Sequence, residues 1–305
     1  MARVLCAALL AFLVPVSAKG TAFPVERKDD RGVAVRLASE PLRVVSLAPS
    51  LTEIVFLLGQ EKKLVGVTRY CNFPPQAESL PKIGGIADPD VERIVAAAPD
   101  LVLCTTDGNP KEKVKALEEI GIPCFALAPQ DLPAIYAAVE RIGALLGAGE
   151  RARREAENLR ARARRAAGGA PGPVPNVLFA VSTSPVIAAG KGTFMDELLR
   201  LAGGRNAAAP YSGRYPRLSV EDLLACRPDI IFVAAMAGVE KFSPDVTRWK
   251  EVPAFRDGEV VSLDGDIVTR PGPRMVAALE EVSRVLSAWR ERHRTPAAGT
   301  KGGGR

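Results

Sequence analysis

The 305-residue chain is 47% hydrophobic and 25% charged, with a formal net charge of +6. That length supplies two domains of ordinary size, each with its own core. Much of the positive excess sits in an Arg-rich stretch at 150–167 and in the tail after Trp289, with no aromatic residue among the arginines of that stretch, which excludes single-stranded nucleic acid as a partner.

Residues 1–18 are expected to be a secretory signal. Arg3 supplies a minimal positive region, residues 4–14 an apolar run too short to span a bilayer, and Val16-Ser17-Ala18 a small-residue cleavage site. Cys6 lies too near the start to be a lipid-anchored cysteine. In the exported chain Cys71, Cys104, Cys124 and Cys226 remain, and four cysteines allow three full pairings. Cys104 and Cys124, at the ends of successive predicted strands, are candidate neighbours; buried unpaired thiols are the alternative.

Residues 23–37 predict a hairpin turning at Asp30-Arg31-Gly32, with Val33, Val35 and Leu37 alternating. A core strand at 43–47 follows, then a helix for which Ser50 and Glu53 form an S-x-x-E capping box, ending at Gly59. The next strand, 64–68, leads into a loop with Tyr70 and a Pro74-Pro75 pair, a rigid turn suited to lining a cleft. A short helix and the strand 101–104 come next. Asp107-Gly-Asn-Pro110 is read as capping a helix with Pro at its first position. Then come the strand 124–127 and an amphipathic helix at 131–146 carrying Ile135, Val139, Ile142 and Leu146.

The stretch 150–167 holds seven arginines and no Gly or Pro, and predicts a polar helical rod of roughly 27 Å, either solvated or lying across two bodies. After a Gly/Pro joint at 168–175 come a strand at 177–181, a helix at 193–202, and a long loop with Tyr211, Arg214, Tyr215 and Arg217, suspect as a binding loop for its length. A helix and the strand 230–233, the strand 260–263, a strand-end loop at 264–273 and an amphipathic helix at 275–289 complete the order, before a Gly-, Lys- and Arg-rich tail.

The rod divides two copies of one unit: short helix, Pro-Asp stop, buried strand. Glu92 and Glu221, Pro99 and Pro228, and Asp100 and Asp229 are each 129 positions apart, which implies two similar lobes. Alternating strands and helices imply parallel sheets covered on both faces, with ligands beyond the carboxyl ends of the strands. The expected division is a signal peptide at 1–18, an N-terminal α/β lobe at 19–147, a linking helix at 148–170, a C-terminal α/β lobe at 171–290 and a disordered tail at 291–305.

Catalytic motifs are lacking. The one histidine, His293, sits in the tail, which argues against histidine-based metal centres and Ser-His-Asp hydrolysis. Gly190-Lys191-Gly192-Thr193 has no Ser or Thr directly after its Lys, so it is no P-loop. Gly147-Ala-Gly-Glu-Arg-Ala152 follows a helix and not a strand, so it fails as a dinucleotide fingerprint. No enzyme activity, metal or cofactor is therefore expected. The rival readings are an exported redox enzyme using Cys71 and Cys104, and an interaction module using the basic rod.

The segments Arg43-Val-Val-Ser-Leu-Ala-Pro-Ser-Leu-Thr-Glu53, Gly66-Val-Thr-Arg-Tyr-Cys-Asn-Phe-Pro-Pro75, Asp107-Gly-Asn-Pro110 and Gly272-Pro-Arg274, with both Glu/Pro-Asp copies, resemble the periplasmic substrate-binding proteins with a helical backbone, which serve ABC importers for cobalamin, ferric siderophores and haem. The resemblance spans about residues 23–289 and looks closest to the cobalamin branch. It implies two Rossmann-like lobes with parallel sheets joined by one long rigid helix, a periplasmic monomer, a corrinoid ligand, and an ABC permease in the inner membrane as partner. Glu92 and Glu221 match the acidic residues that dock on that permease. Tyr70 matches a cleft tyrosine, Tyr215 stands where cobalamin binders often carry a tryptophan, and Asp266 and Arg270 match polar residues of the last cleft loop. The sequence departs from the best-known cobalamin binders by placing Ile86, Thr105 and Ile187 where they carry aromatics. Arg69, Arg214, Arg217 and Arg270 suit a ferric siderophore or haem propionates as the alternative ligand, with Tyr70 or Tyr215 as the axial ligand of a haem.

Overall fold

A computed structural model describes residues 23–168, 171–235 and 250–294. The expected signal segment and the tail from 295 onward lie outside these residues.

Apolar runs too continuous for a half-exposed sheet build the centre of each lobe. In the first lobe β1 (Val25–Lys28) and β2 (Ala34–Leu37) form the expected hairpin. Behind it β3 (Val44–Ser46), β4 (Leu64–Val67), β5 (Leu101–Thr105) and β6 (Cys124–Leu127) form a parallel sheet in the order β4-β3-β5-β6. Nearly every residue of these strands is buried, as a parallel sheet with helices on both faces requires. Those helices are α1 (Pro49–Leu57), α2 (Val91–Ala96), α3 (Lys111–Glu119) and α4 (Leu132–Leu145).

The linking helix is α5 (Gly149–Ala166), one residue from its expected start. It is polar over most of its surface but not a bare strut. Ala152, Ala156, Leu159 and Ala163 are buried and form one narrow seam. The seam packs on α4 on one side and on the final helix, described below, on the other. Small side chains let the axes approach: a Cβ added at Gly143 of α4 would lie 2.2 Å from the Cβ of Ala152. Flanking ion pairs, Arg160–Glu140 at 2.8 Å and Arg162–Glu280 at 2.7 Å, fix the seam's edges.

The second lobe contains β7 (Asn176–Thr183), β8 (Val186–Ala188), α6 (Phe194–Leu201), β9 (Arg205–Asn206), α7 (Val220–Cys226), β10 (Ile230–Ala235), α8 (Pro253–Arg256), β11 (Val260–Asp264), α9 (Gly265–Val268) and α10 (Met275–Arg292). Its sheet runs β11-β10-β7-β8, with β9 alongside β7. β7, β10 and β11 are parallel as expected, but β8 is antiparallel to β7. Between the strand expected at 177–181 and the helix expected at 193–202, three residues among proline- and glycine-rich turns carry too little periodicity to declare a strand. The final helix α10 runs to Arg292, past the boundary expected at 290. One apolar cluster passes from α1 and α4 through the α5 seam into α6 and α10, so the lobes share a core along the linking helix.

The repeat extends to the backbone after each helix. Among the described residues Ala98 and Arg227, again 129 positions apart, are the non-glycine residues with left-handed φ, at 42° and 44°. Such a conformation costs about 1–2 kcal/mol and needs compensation. Both copies supply it alike. Arg43 donates to the carbonyls of Ala97 and Ala98, and Asn176 donates to those of Cys226 and Arg227. Asp100 accepts the backbone N–H of Arg43 and Asp229 that of Asn176, each tying the stop to the first strand of its lobe. The helices start at matched positions, with Asp90 and Ser219 as N-caps.

The candidate cleft between the lobes

All four parallel strands of the first lobe end in loops that reach the same space. Ala48, Pro49 and Ser50 follow β3, Tyr70 follows β4, Thr105 ends β5 with Asp107 in the turn after it, and Ala128 and Pro129 follow β6. Facing them, Asp266, Thr269, Arg270 and Pro271 come from α9 and the turn after it. The space between is a cavity of about 390 Å3. A larger cavity of about 480 Å3 lies between α4, α5 and α6. It is walled by helix flanks, whereas the smaller one sits at the strand ends, where parallel α/β sheets bind ligands.

Below the cavity the lobes are clasped. Arg274, just before α10, grips Glu53 of α1 with two bonds of 2.7 and 3.1 Å, and its guanidinium lies 4.2 Å from the Phe73 ring centroid. Both side chains are largely buried. Burial pushes the Glu53 carboxyl above its usual range, against the downward pull of Arg274. Glu53 is not half of a capping box, contrary to the expectation from Ser50-x-x-Glu53. The N-cap is Ala48 and no side chain caps α1, because Pro49 opens the helix and draws Ser50 into its first turn. Gly272 permits the close approach of the lobes, since a Cβ there would lie 3.0 Å from Ser50 Cβ.

Asn109 also departs from its expected capping role. The residue before α3 is Pro110, which lies outside the helix and offers no side-chain bond. Asn109 is buried and ties three loops together: it accepts from Thr105 N at 2.7 Å and donates to Leu47 O at 3.1 Å and Ile86 O at 2.8 Å. It holds the cavity wall on which Ile86 and Thr105 stand.

Of the residues expected in the cleft, Tyr70, Asp266 and Arg270 line the cavity. Tyr70 is 48% exposed. Arg69 does not line it. Its guanidinium pairs with Asp88 at 2.6 Å and lies 5.6 Å from the Tyr70 ring centroid, so it backs the tyrosine. That pair holds the Asp88 carboxyl below its usual range. Arg214 and Tyr215 lie outside the cavity lining. Arg214 reaches Gln130 of the first lobe at 3.3 Å, and Gln130 in turn bonds Asp107 at 2.6 Å, while Tyr215 is 52% exposed. Ile187, in β8, is not part of the lining either.

Asn72 was not singled out from the sequence. It joins Asp266 and Arg270 across the cleft, each at 2.7 Å. Its partners lie almost 200 positions away, and only the Tyr70 loop around it gave a signal. Glu92 and Glu221 are exposed, each at the second position of the repeated helix.

Cys71, Cys104, Cys124 and Cys226 are free thiols. Burial pushes Cys104 up to about 12 and raises Cys124 as well. These are inert thiols, contrary to what a redox site at Cys104 needs. Cys71 sits 3.2 Å from the hydroxyls of both Thr52 and Thr68. Among the described residues no His, Cys, Asp or Glu cluster has the arrangement of a metal site.

The chain matches the family model described as periplasmic binding protein over residues 44–267. It is 30% identical over 255 residues to the vitamin B12-binding protein of Vibrio parahaemolyticus, covering 82% of this chain and 91% of the relative. It is 31% identical over 280 residues to the uncharacterized ABC transporter substrate-binding lipoprotein YvrC of Bacillus subtilis, covering 88% and 87%. Among solved structures, the apo periplasmic heme-binding protein RhuT of Roseiflexus sp. RS-1 superposes with a TM-score of 0.73 at 29% identity, over 82% of this chain and 98% of that one. Likeness in sequence and in fold thus extends across both lobes and the helix between them, and the chain belongs to the periplasmic binding protein family.

Proposed function

We propose that this protein is a periplasmic receptor that takes up a corrinoid in the cleft between its lobes and delivers it to an ABC import permease in the inner membrane. The observation that carries this reading is the convergence of all four strand-end loops of the first lobe, with Tyr70 among them, on a cavity whose opposite wall presents Asp266 and Arg270. One wall offers an aromatic face and apolar surface to a macrocycle. The other offers a hydrogen-bond acceptor and a donor to its polar edge. The likeness to the Vibrio vitamin B12-binding protein supports a corrinoid. The lobes are pre-positioned by the shared core and the Glu53–Arg274 clasp, so binding costs little ordering.

Calorimetric titration of residues 19–305 with cyanocobalamin, haemin and a ferric siderophore tests the reading. One-to-one saturable binding of cyanocobalamin is expected, and Tyr70→Ala weakens it about three- to ten-fold, the scale of one stacking contact. No saturable binding of cyanocobalamin overturns it. The second reading, a haem or ferric-siderophore receptor, is favoured by Tyr70 in the cavity wall and by the likeness to RhuT. Binding of an iron ligand alone selects it. Glu92 and Glu221 are assigned to docking on the permease, one from each lobe.

A further inference from the structure

Asn72, Asp266 and Arg270 close a ring of hydrogen bonds at the mouth of the cavity. Asn72 Nδ2 donates to Asp266 Oδ2 at 2.7 Å, Arg270 Nη1 donates to Asn72 Oδ1 at 2.7 Å, and Arg270 Nη2 meets Asp266 Oδ1 at 2.6 Å. The orientation of the amide is forced. A carboxylate only accepts and a guanidinium only donates, so the NH2 must face Asp266 and the carbonyl must face Arg270. Asp266 and Arg270 are thus a fork that fits a neutral primary carboxamide, and both of its bonds are charge-assisted. Asp266 and Arg270 line the cavity while Asn72 does not, and Asn72 is exposed. Its amide therefore enters the fork from the rim and occupies groups that a bound ligand would otherwise meet.

We propose that Asn72 is a specificity-determining residue: its carboxamide is a built-in competitor for a ligand carboxamide and must leave the fork before the ligand seats. The inference rests on the corrinoid reading, because the rim of a corrinoid carries primary carboxamides. A carboxylate edge, such as that of haem, is a poor substitute, since Arg270 is already neutralised by Asp266, which repels a second anion. The ligand amide recovers the two bonds that Asn72 gives up. The competitor thus reduces affinity by the net worth of a hydrogen bond or so, about two- to ten-fold.

Stopped-flow binding of cyanocobalamin to the wild type and to Asn72→Ala provides the test. The variant is expected to associate about two- to ten-fold faster, with dissociation changed by less than about two-fold, as removal of a competitor demands. In an Asp266→Ala background the gain from Asn72→Ala disappears, because the fork is gone. Unchanged or slower association in Asn72→Ala overturns the proposal and leaves Asn72 as a brace for Arg270. A second experiment does not depend on the natural ligand. The Arg270 guanidinium resonances of Asn72→Ala are followed while propionamide or propionate is added. Propionamide alone is expected to shift them, and neither compound shifts them in the wild type. An equal response to propionate, or none to propionamide, overturns the fork's preference. Failure of the wild type to bind cyanocobalamin refutes the corrinoid reading, while the propionamide result still decides the fork.

Discussion

Cys104 lies in β5 one residue before Thr105, which lines the cavity, yet nothing of the Cys104 side chain reaches solvent. Burial holds its proton up to about 12. The unfolded chain gives up that proton near the ordinary thiol value, about 8.5. Between those two values the native state binds more protons than the unfolded one, so stability falls as pH rises through the window. Urea melts at pH 8 and pH 10 should show the wild type losing about 2 kcal/mol more than Cys104→Ala over that interval. Iodoacetamide at pH 8 should label Cys104 only after unfolding; rapid labelling of the native protein would restore the redox reading. The same scale shows where local reading of a sequence stops. Tyr70, Asp266 and Arg270 were legible through family motifs that keep their order along the chain. Glu53 was misread because S-x-x-E is a local pattern, whereas its partner Arg274 lies 221 positions away. Asn72 was missed for the same reason: neither its spacing nor its neighbours announce an amide held between two charges on the other lobe.

The repeated element was legible because its chemistry is local: a short helix, a Pro-Asp stop and an apolar strand, all within about fifteen residues. Even the compensation for the strained stop is duplicated, by Arg43 in one lobe and Asn176 in the other. The burial of α5 was much less legible. Three of its four buried residues are alanines, which add little hydrophobic signal, so the helix looked polar all round. Small size is what the site requires, because Gly143 lets α4 come down on Ala152. Gly143→Ala is a sharp test of that contact. On propensity alone it should stabilise α4 by about 1 kcal/mol. The added methyl would meet Ala152 at 2.2 Å, so the helices must separate. Overpacking of this kind costs about 1–3 kcal/mol. A net loss of roughly 1 kcal/mol is expected in urea unfolding; a gain would mean that the α4–α5 seam yields freely and does not brace the lobes.

At the scale of the molecule, duplication places one acidic residue at the same helical position of each lobe. The same unit also sets the orientation of each helix through its N-cap and its Pro-Asp stop. Glu92 and Glu221 are therefore presented in similar ways on the two lobes, and both are exposed. A permease built with two-fold symmetry offers the same cationic site twice, which suits a partner carrying the same acid twice. Exposed charges of this kind act more on encounter and orientation than on holding the complex, and salt screens them. The double variant Glu92→Ala, Glu221→Ala should therefore keep ligand affinity within about two-fold, because neither residue lines the cleft. Its association with permease in nanodiscs should slow about ten-fold or more at low salt, and the difference from wild type should shrink as salt rises. Each single variant should show part of the loss, since either lobe alone still steers. Weakened ligand binding would place the two glutamates in the cleft's own support, and unchanged association at low salt would remove them from the docking surface.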